Sequence, residues 1–356
     1  MMKRIRTGFT LIELLVVVAI IALLIGILLP ALGKARVTAQ GIVGGNMARQ
    51  LATGVTYYTN DYKGWIPGVT TSSYSLALRA SREGVDPVEI MNSDSSAPVQ
   101  TWDWMTPAIG QDSNLPTSRV ARFTQILERF SSPATPRDLP AYSEEGLSGD
   151  EQDYIDSLGG VTGTSFLQPA GLIWWGDTAY TREKVKIRNS YGPGNNILHW
   201  FPPSLGASKN QVVIKSVYRP KMDLIPRPSL KAVCADGFRY YYISGGELVG
   251  PDVSLDVGAQ NSNGGGGGSA VYLSFGTSSP VFAQSRAYDV NGPAFQLSYR
   301  YNEQINVAFL DGHVEMMGVY KSQDPTYWYP TDSTFVGGTG TAPGALNVYE
   351  QGDKIN

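Results

Sequence analysis

Between Phe9 and Leu29 the only charged residue is Glu13. About 20 apolar residues at 1.5 Å rise each match a hydrocarbon core of roughly 30 Å, so the run predicts a membrane-spanning helix. Lys3, Arg4 and Arg6 precede it. Positive flanks stay cytoplasmic, which puts the N-terminus inside and the rest of the chain across the membrane. A secretory signal peptide has a shorter apolar stretch, roughly 7 to 15 residues, ending at a small-residue cleavage site; this run is longer and leads into Leu28-Leu29-Pro30-Ala31-Leu32. A plain signal anchor explains the length and the flank but not the glutamate. A buried core helix is the third alternative, and 21 residues with no polar face but one carboxylate fit it poorly beside the match to the bilayer thickness. On insertion scales a charge at the bilayer centre costs about 2.5 to 3.5 kcal/mol, so an intramembrane carboxylate points to a partner.

Gly8-Phe9-Thr10-Leu11-Ile12-Glu13 resembles the class III leader site of type IV pilins and pseudopilins. The resemblance implies cleavage by a prepilin peptidase between Gly8 and Phe9, N-methylation of Phe9, and Glu13 as the fifth residue of the mature chain. It also implies the partner: the new α-amino group of one subunit set beside the Glu13 carboxylate of its neighbour, each offsetting the other's desolvation. Pro30 matches a proline that pilins commonly carry. With Gly26 one turn before it, Pro30 weakens the helix; Gly26 to Pro30 is where the resemblance implies local melting in a filament, the alternative being a simple kink.

Beyond Pro30, Val43, Met47, Leu51, Val55 and Tyr58 step by four, four, four and three, one stripe of a continuing helix. Gly41, Gly44 and Gly45 predict a bend or break within it. Gly64 and Pro67 end it. Asn46-Met47-Ala48-Arg49-Gln50 and Tyr58 to Pro67 are similar to the Asn-Leu-Arg-Gln and Tyr-x-x-Asp-x-x-Gly-x-x-Pro pattern of a large pseudopilin-like group. That group is named for a C-terminal histidine, nine residues, then Asp-Gly. Here Asp311-Gly312 is present, but Tyr301 stands in the histidine's place.

With 42% hydrophobic and 17% charged residues, 40 Gly and 22 Pro, the remainder reads as a β-rich, loop-rich head with antiparallel sheet. The fold class is therefore α+β. Asp311-Gly312 between apolar runs predicts a two-residue type I′ hairpin. Strand-like runs are Gly171 to Gly176, Gln211 to Tyr218, Arg239 to Ile243 and Ala270 to Phe275, with a helix around Val120 to Phe130. Cys234 has no disulfide partner, and two histidines, His199 and His313, predict no metal site. Asp252, Asp256 and nearby asparagines are candidate Ca²⁺ ligands; some pseudopilins hold Ca²⁺ in a C-terminal loop, but the spacing here matches no EF-hand. Gly264 to Gly268 lacks the context of a phosphate loop and reads as a flexible loop. There is no Gly-x-Ser-x-Gly elbow and no His-Glu-x-x-His, so no catalytic residue is expected. The formal charge of -3, from 28 basic and 31 acidic residues without basic clusters, argues against nucleic acid. Loss of Lys3, Arg4 and Arg6 takes that -3 to -6.

The expected organisation is a leader (1–8), a transmembrane half-helix (9–29), an extracytoplasmic half-helix (30–62) and a head (63–356) with a large central insertion at about 68–285. Two functions fit. One is a structural subunit of a type IV pilus or type II secretion pseudopilus, as a minor or tip subunit given its large head. Its partners would be prepilin peptidase, other pilin-like subunits as a homo- or hetero-oligomer, and an inner-membrane assembly platform. The other is a membrane-anchored protein whose head, with Trp102, Trp104, Trp174, Trp175, Trp200 and Trp328, binds a polysaccharide or protein. Both place the chain in the inner membrane with a periplasmic or extracellular head.

Overall fold

Helix α1 (Leu11–Asp61) is one unbroken rod of 51 residues. In the computed structural model the described residues are 10–68, 83–85, 87–99, 103–109, 114–135, 137, 139, 149–163, 165–173, 183–187, 197–201, 212–239, 241–242, 248–249, 295–297, 299–337 and 343–356. Thr10 caps α1 in a reciprocal capping box with Glu13, which satisfies backbone donors that a helix start otherwise leaves orphaned. At the other end Lys63 and Gly64 take positive φ, 55° and 81°, and the Gly64 N–H donates to Thr59 O at 2.7 Å. A glycine adopts that conformation without steric cost.

After α1 come α2 (Pro87–Ser93), α3 (Met105–Ile109), α4 (Arg119–Arg129) and α5 (Gly149–Leu158). Next are β1 (Phe166–Leu167), α6 (Ala170–Ile173), β2 (Glu183–Ile187), β3 (Ile197–Phe201), β4 (Val212–Val213), β5 (Ala232–Arg239), β6 (Tyr241–Tyr242), β7 (Leu248–Val249) and β8 (Phe295–Leu297). The chain closes through β9 (Gln304–Phe309), β10 (Val314–Gly318), α7 (Val319–Ser322), β11 (Thr334–Phe335) and α8 (Pro343–Leu346). The main sheet is antiparallel in the order β1-β5-β9-β10, with β8 also on β5. Side chains alternate across it. Cys234, Asn306, Val314 and Met316 meet α1, while Phe309 meets Tyr327 edge-on at 5.8 Å on the other face. The core thus lies between α1 and the C-terminal segment, with Leu51, Val55, Ile305, Val307 and Trp328 all buried.

Several expectations need correcting. α1 does not break at Gly41, Gly44 and Gly45, because those glycines are where the head packs and tertiary contact outweighs their low propensity. Residues 170 to 173 form α6 rather than a strand: the Leu172 N–H turns back to Pro169 O, and Gly171 backs onto Trp328 O and the Tyr329 ring. Of the run expected from Gln211 to Tyr218, the described residues 212–218 hold a strand only at Val212–Val213, followed by a turn closed by the Tyr218 N–H on Lys215 O. The helix expected around Val120 to Phe130 is α4, capped by Ser118. The 270–275 run, Gly264 to Gly268, Asp252, Asp256, Trp102, Trp174 and Trp175 lie outside the described residues.

Candidate functional site

Two stretches of α1 carry the features that bear on function. The first is its N-terminal half. Leu11, Leu15, Leu23, Leu28, Leu29 and Leu32 are all exposed, and the most apolar stretch of the helix has no residue buried against the head. Only backbone bonds and the cap hold this half together within the chain. Glu13 Oε2 accepts the Thr10 N–H at 2.8 Å and the Thr10 hydroxyl at 2.8 Å, while Thr10 Oγ1 accepts the Glu13 N–H at 3.3 Å. Among the described residues Oε1 accepts no hydrogen bond. The charged residue that looked unpartnered in the sequence therefore has a local task as well, closing the start of its own helix. Gly8 and Phe9 lie outside the described residues. Pro30 sits inside the continuous helix; its ring nitrogen has no proton for the Gly26 carbonyl, so one backbone bond is missing there.

The second stretch is the seam between α1 and the head. Tyr301 is buried, with its ring on the glycine notch of α1. A Cβ built on Gly44 would stand 2.5 Å from the Tyr301 hydroxyl, and one on Gly41 would stand 3.2 Å from its Cγ. The hydroxyl closes on Ser132 Oγ. Burial pushes its pKa up to about 12, so it remains a neutral phenol. Asn306 donates from Nδ2 to Gly41 O at 3.0 Å, and its N–H donates to Asp236 Oδ2 at 2.6 Å. Asp236 Oδ1 is buried outside hydrogen-bonding geometry to any described group. Burial pushes the Asp236 carboxyl up to about 6, opposed by Arg300 and by the Asn306 hydrogen bonds. Arg300 in turn donates to Thr135 Oγ1 at 2.8 Å and to Gly237 O at 2.6 Å. The thiol of Cys234, pushed up by burial, faces Ala48 O. A buried, largely satisfied polar seam of this kind fixes register between helix and sheet.

Sequence reasoning missed Asp236, Asn306 and Ser132. The one readable signal was Tyr301 itself, a large residue at a marked position facing Gly41 and Gly44 in the same chain.

Asp311 and Gly312 lie at the β9–β10 turn, but its type differs from expectation. The Phe309 N–H donates to His313 O at 2.9 Å and the Gly312 N–H to Phe309 O at 2.9 Å. Gly312 has φ 88°, whereas Asp311 is not among the positive-φ residues. That is a three-residue loop with glycine at the left-handed position, not a two-residue type I′ turn, which needs positive φ at both central residues. His313 Nδ1 lies 2.5 Å from Asp311 Oδ1, and its ring stacks on Phe309 at 4.2 Å. Burial raises the Asp311 carboxyl, but its hydrogen bonds with His313 together outweigh that and hold it below its usual value. His199 is in β3, opposite Val185. No cluster of three or more His, Cys, Asp or Glu able to hold a metal occurs among the described residues. Trp104 and Trp328 are buried, so neither offers a stacking surface.

The family model described as the Prokaryotic N-terminal methylation motif matches residues 3–29. This leader is typical of type IV pilins and pseudopilins; it supports a pilin-like chain processed by a prepilin peptidase and, with the apolar helix, anchored in a membrane. The match covers neither the head nor the Asp311-Gly312 segment. No curated protein and no solved structure matches the chain.

Proposed function

We propose that the chain is a structural pseudopilin-like subunit rather than an enzyme, cut between Gly8 and Phe9, methylated on Phe9, and built through α1 into a type IV pilus or type II secretion pseudopilus. Its head lies on the periplasmic or extracellular side, and its size suits a minor or tip subunit. One observation carries this reading: the apolar half of α1, bare of contacts with its own head, continues without a break into the half that the head grips. In the membrane, lipid covers the bare half; in a filament, the same half of neighbouring subunits covers it. Glu13, capped onto Thr10 through Oε2, keeps Oε1 for the Phe9 amine of the next subunit, so helix capping and intersubunit pairing do not compete for one oxygen.

The N-terminus of the chain, recovered from cells with its own export machinery, tests the reading by mass spectrometry. A chain beginning at N-methylated Phe9 is expected. A chain still beginning at Met1 or Met2 would overturn it and leave an anchored binding protein.

A further inference from the structure

We infer that the lower rim of the head, formed by α7 and α8 with Tyr320 at its edge, rests in the headgroup layer of the same membrane that α1 spans; this rests on the reading of α1 as a membrane helix.

The height of the rim follows from register. Met316 lies over Gly41 and Val314 over Gly45. Two strand residues cover about 6.6 Å, and four helical residues cover about 6 Å. β10 therefore runs nearly antiparallel to α1, from the outer part of the head back toward the bilayer. Tyr301, just before β9, lies over the same Gly41 and Gly44, which puts the start of β9 and the end of β10 on one rim. Continued by one more pair, Gly318 falls level with about residue 37 of α1.

The exposed apolar run of α1 extends to Leu32, followed by Lys34 and Arg36. Residue 37 stands about 7 to 8 Å beyond Leu32 at 1.5 Å per residue. The polar layer on each side of a bilayer is roughly 5 to 7 Å thick. Gly318 thus stands at the outer edge of the headgroup layer, and Tyr320 lies two residues past this membrane-facing end of β10; tyrosine, with an apolar ring and a polar tip, is enriched at that level.

The chemistry of the rim fits that occupant. Tyr320, two residues past Gly318, is 67% exposed. Gly344 of α8 packs against Tyr320 O so closely that no Cβ fits, and Leu346, on the same short helix, is 56% exposed. Lys321 is paired with Glu315, and the chain is net negative. The contact is therefore one of partition rather than attraction to anionic lipid. The rim fixes the tilt of the head over the anchor and gives it a second foothold on the membrane.

The test uses the full chain, one copy per lipid nanodisc, in phosphatidylcholine alone and with added phosphatidylglycerol. A nitroxide is placed at Tyr320→Cys, at Ile21→Cys inside the apolar run, and at Leu224→Cys, whose neighbour Met222 bonds the far end of α1 through Gly64 O. The wild-type chain, with buried Cys234, gives the background. A nickel chelate carried on lipid headgroups should relax the Tyr320→Cys label several-fold more than the Leu224→Cys label, equally in both lipids. The Ile21→Cys label should show the oxygen accessibility of hydrocarbon. If Ile21→Cys reports lipid and Tyr320→Cys matches Leu224→Cys, the rim inference fails and the anchor stands. If Ile21→Cys reports water, both fail. A Tyr320→Cys response that arises only when several chains share a disc makes the occupant a second copy and overturns the inference.

Discussion

The two halves of α1 answer opposite demands with one helix. The N-terminal half is dense in leucine, isoleucine and valine, and none of its apolar stretch is buried against the head. The outer half meets the head through Gly41, Gly44, Ala48, Leu51, Ala52 and Val55, all buried. The large side chains of the first half are left bare, whereas the second half mixes Leu51 and Val55 with glycines, and Gly41 and Gly44 let the Tyr301 ring and the Asn306 amide approach the helix backbone.

That contrast is most simply broken by leucine truncation. Leu51→Ala removes a side chain that is 1% exposed at the centre of the core and should cost about 2 to 5 kcal/mol. Leu24→Ala, whose side chain has no partner in the head, should leave head unfolding unchanged. Thermal unfolding of the full chain in detergent, followed through the buried Trp104 and Trp328, reads both. Equal losses would mean that the halves are not energetically separate.

The next effect concerns the notch. Gly44→Val places a branched side chain where even a Cβ stands 2.5 Å from the Tyr301 hydroxyl, so the sheet must shift or Tyr301 must leave Ser132. Overpacking of this kind costs about 1 to 3 kcal/mol. Gly44→Val with Tyr301→Phe should recover part of the loss if the hydroxyl is the obstacle, and none if the helix backbone is.

A third effect probes the seam by pH. The Asp236 carboxyl sits at about 6 instead of 3.8, so its folded pKa lies above its unfolded one. Between about pH 4 and 6 the native state then binds more protons than the unfolded state, and the contribution of this group to stability falls as pH rises through that window. A shift of this size corresponds to at most about 3 kcal/mol. The difference in melting temperature between wild type and Asp236→Asn should grow in favour of the variant from pH 4 to 6 and then level off. A flat difference would show that Asp236 is already ionised and paired when folded.

The halves of α1 also show how far the sequence could be read. The apolar run and the end at Gly64 were legible because each depends on neighbours in the chain; the Thr10–Glu13 cap is just as local, but the carboxylate was read only for a partner outside the chain. The stripe was only half right: Leu51, Val55 and Tyr58 are buried, but Val43 is 42% exposed, and the true face there is made of glycines that a search for apolar periodicity passes over. The two Asp-Gly pairs make the same point. Asp311-Gly312 is a turn, as local propensity suggests. Asp236-Gly237 carries the same signal yet lies inside β5, where Asp236 is sealed under α1 and Gly237 leaves room for the Leu167 side chain. Only long-range packing distinguishes them, so the central strand and the polar seam stayed hidden.

The smallest predicted effect is the sharpest test of the separation. Gly26 has nothing within 4 Å of a built Cβ and sits one turn before Pro30. Gly26→Ala should strengthen the helix locally by up to about 1 kcal/mol while shifting the melting of the head by nothing measurable. The same change at Gly54, where a Cβ would run into Ala108 O, gains that propensity and loses more to the clash, so the sign reverses. If a filament needs the Gly26 to Pro30 turn to open, Gly26→Ala should also slow assembly while leaving cleavage after Gly8 intact. A variant that assembles normally would remove helix melting from the mechanism without touching the anchor, and one whose head melts at a lower temperature would show that strain passes along α1 from one half to the other.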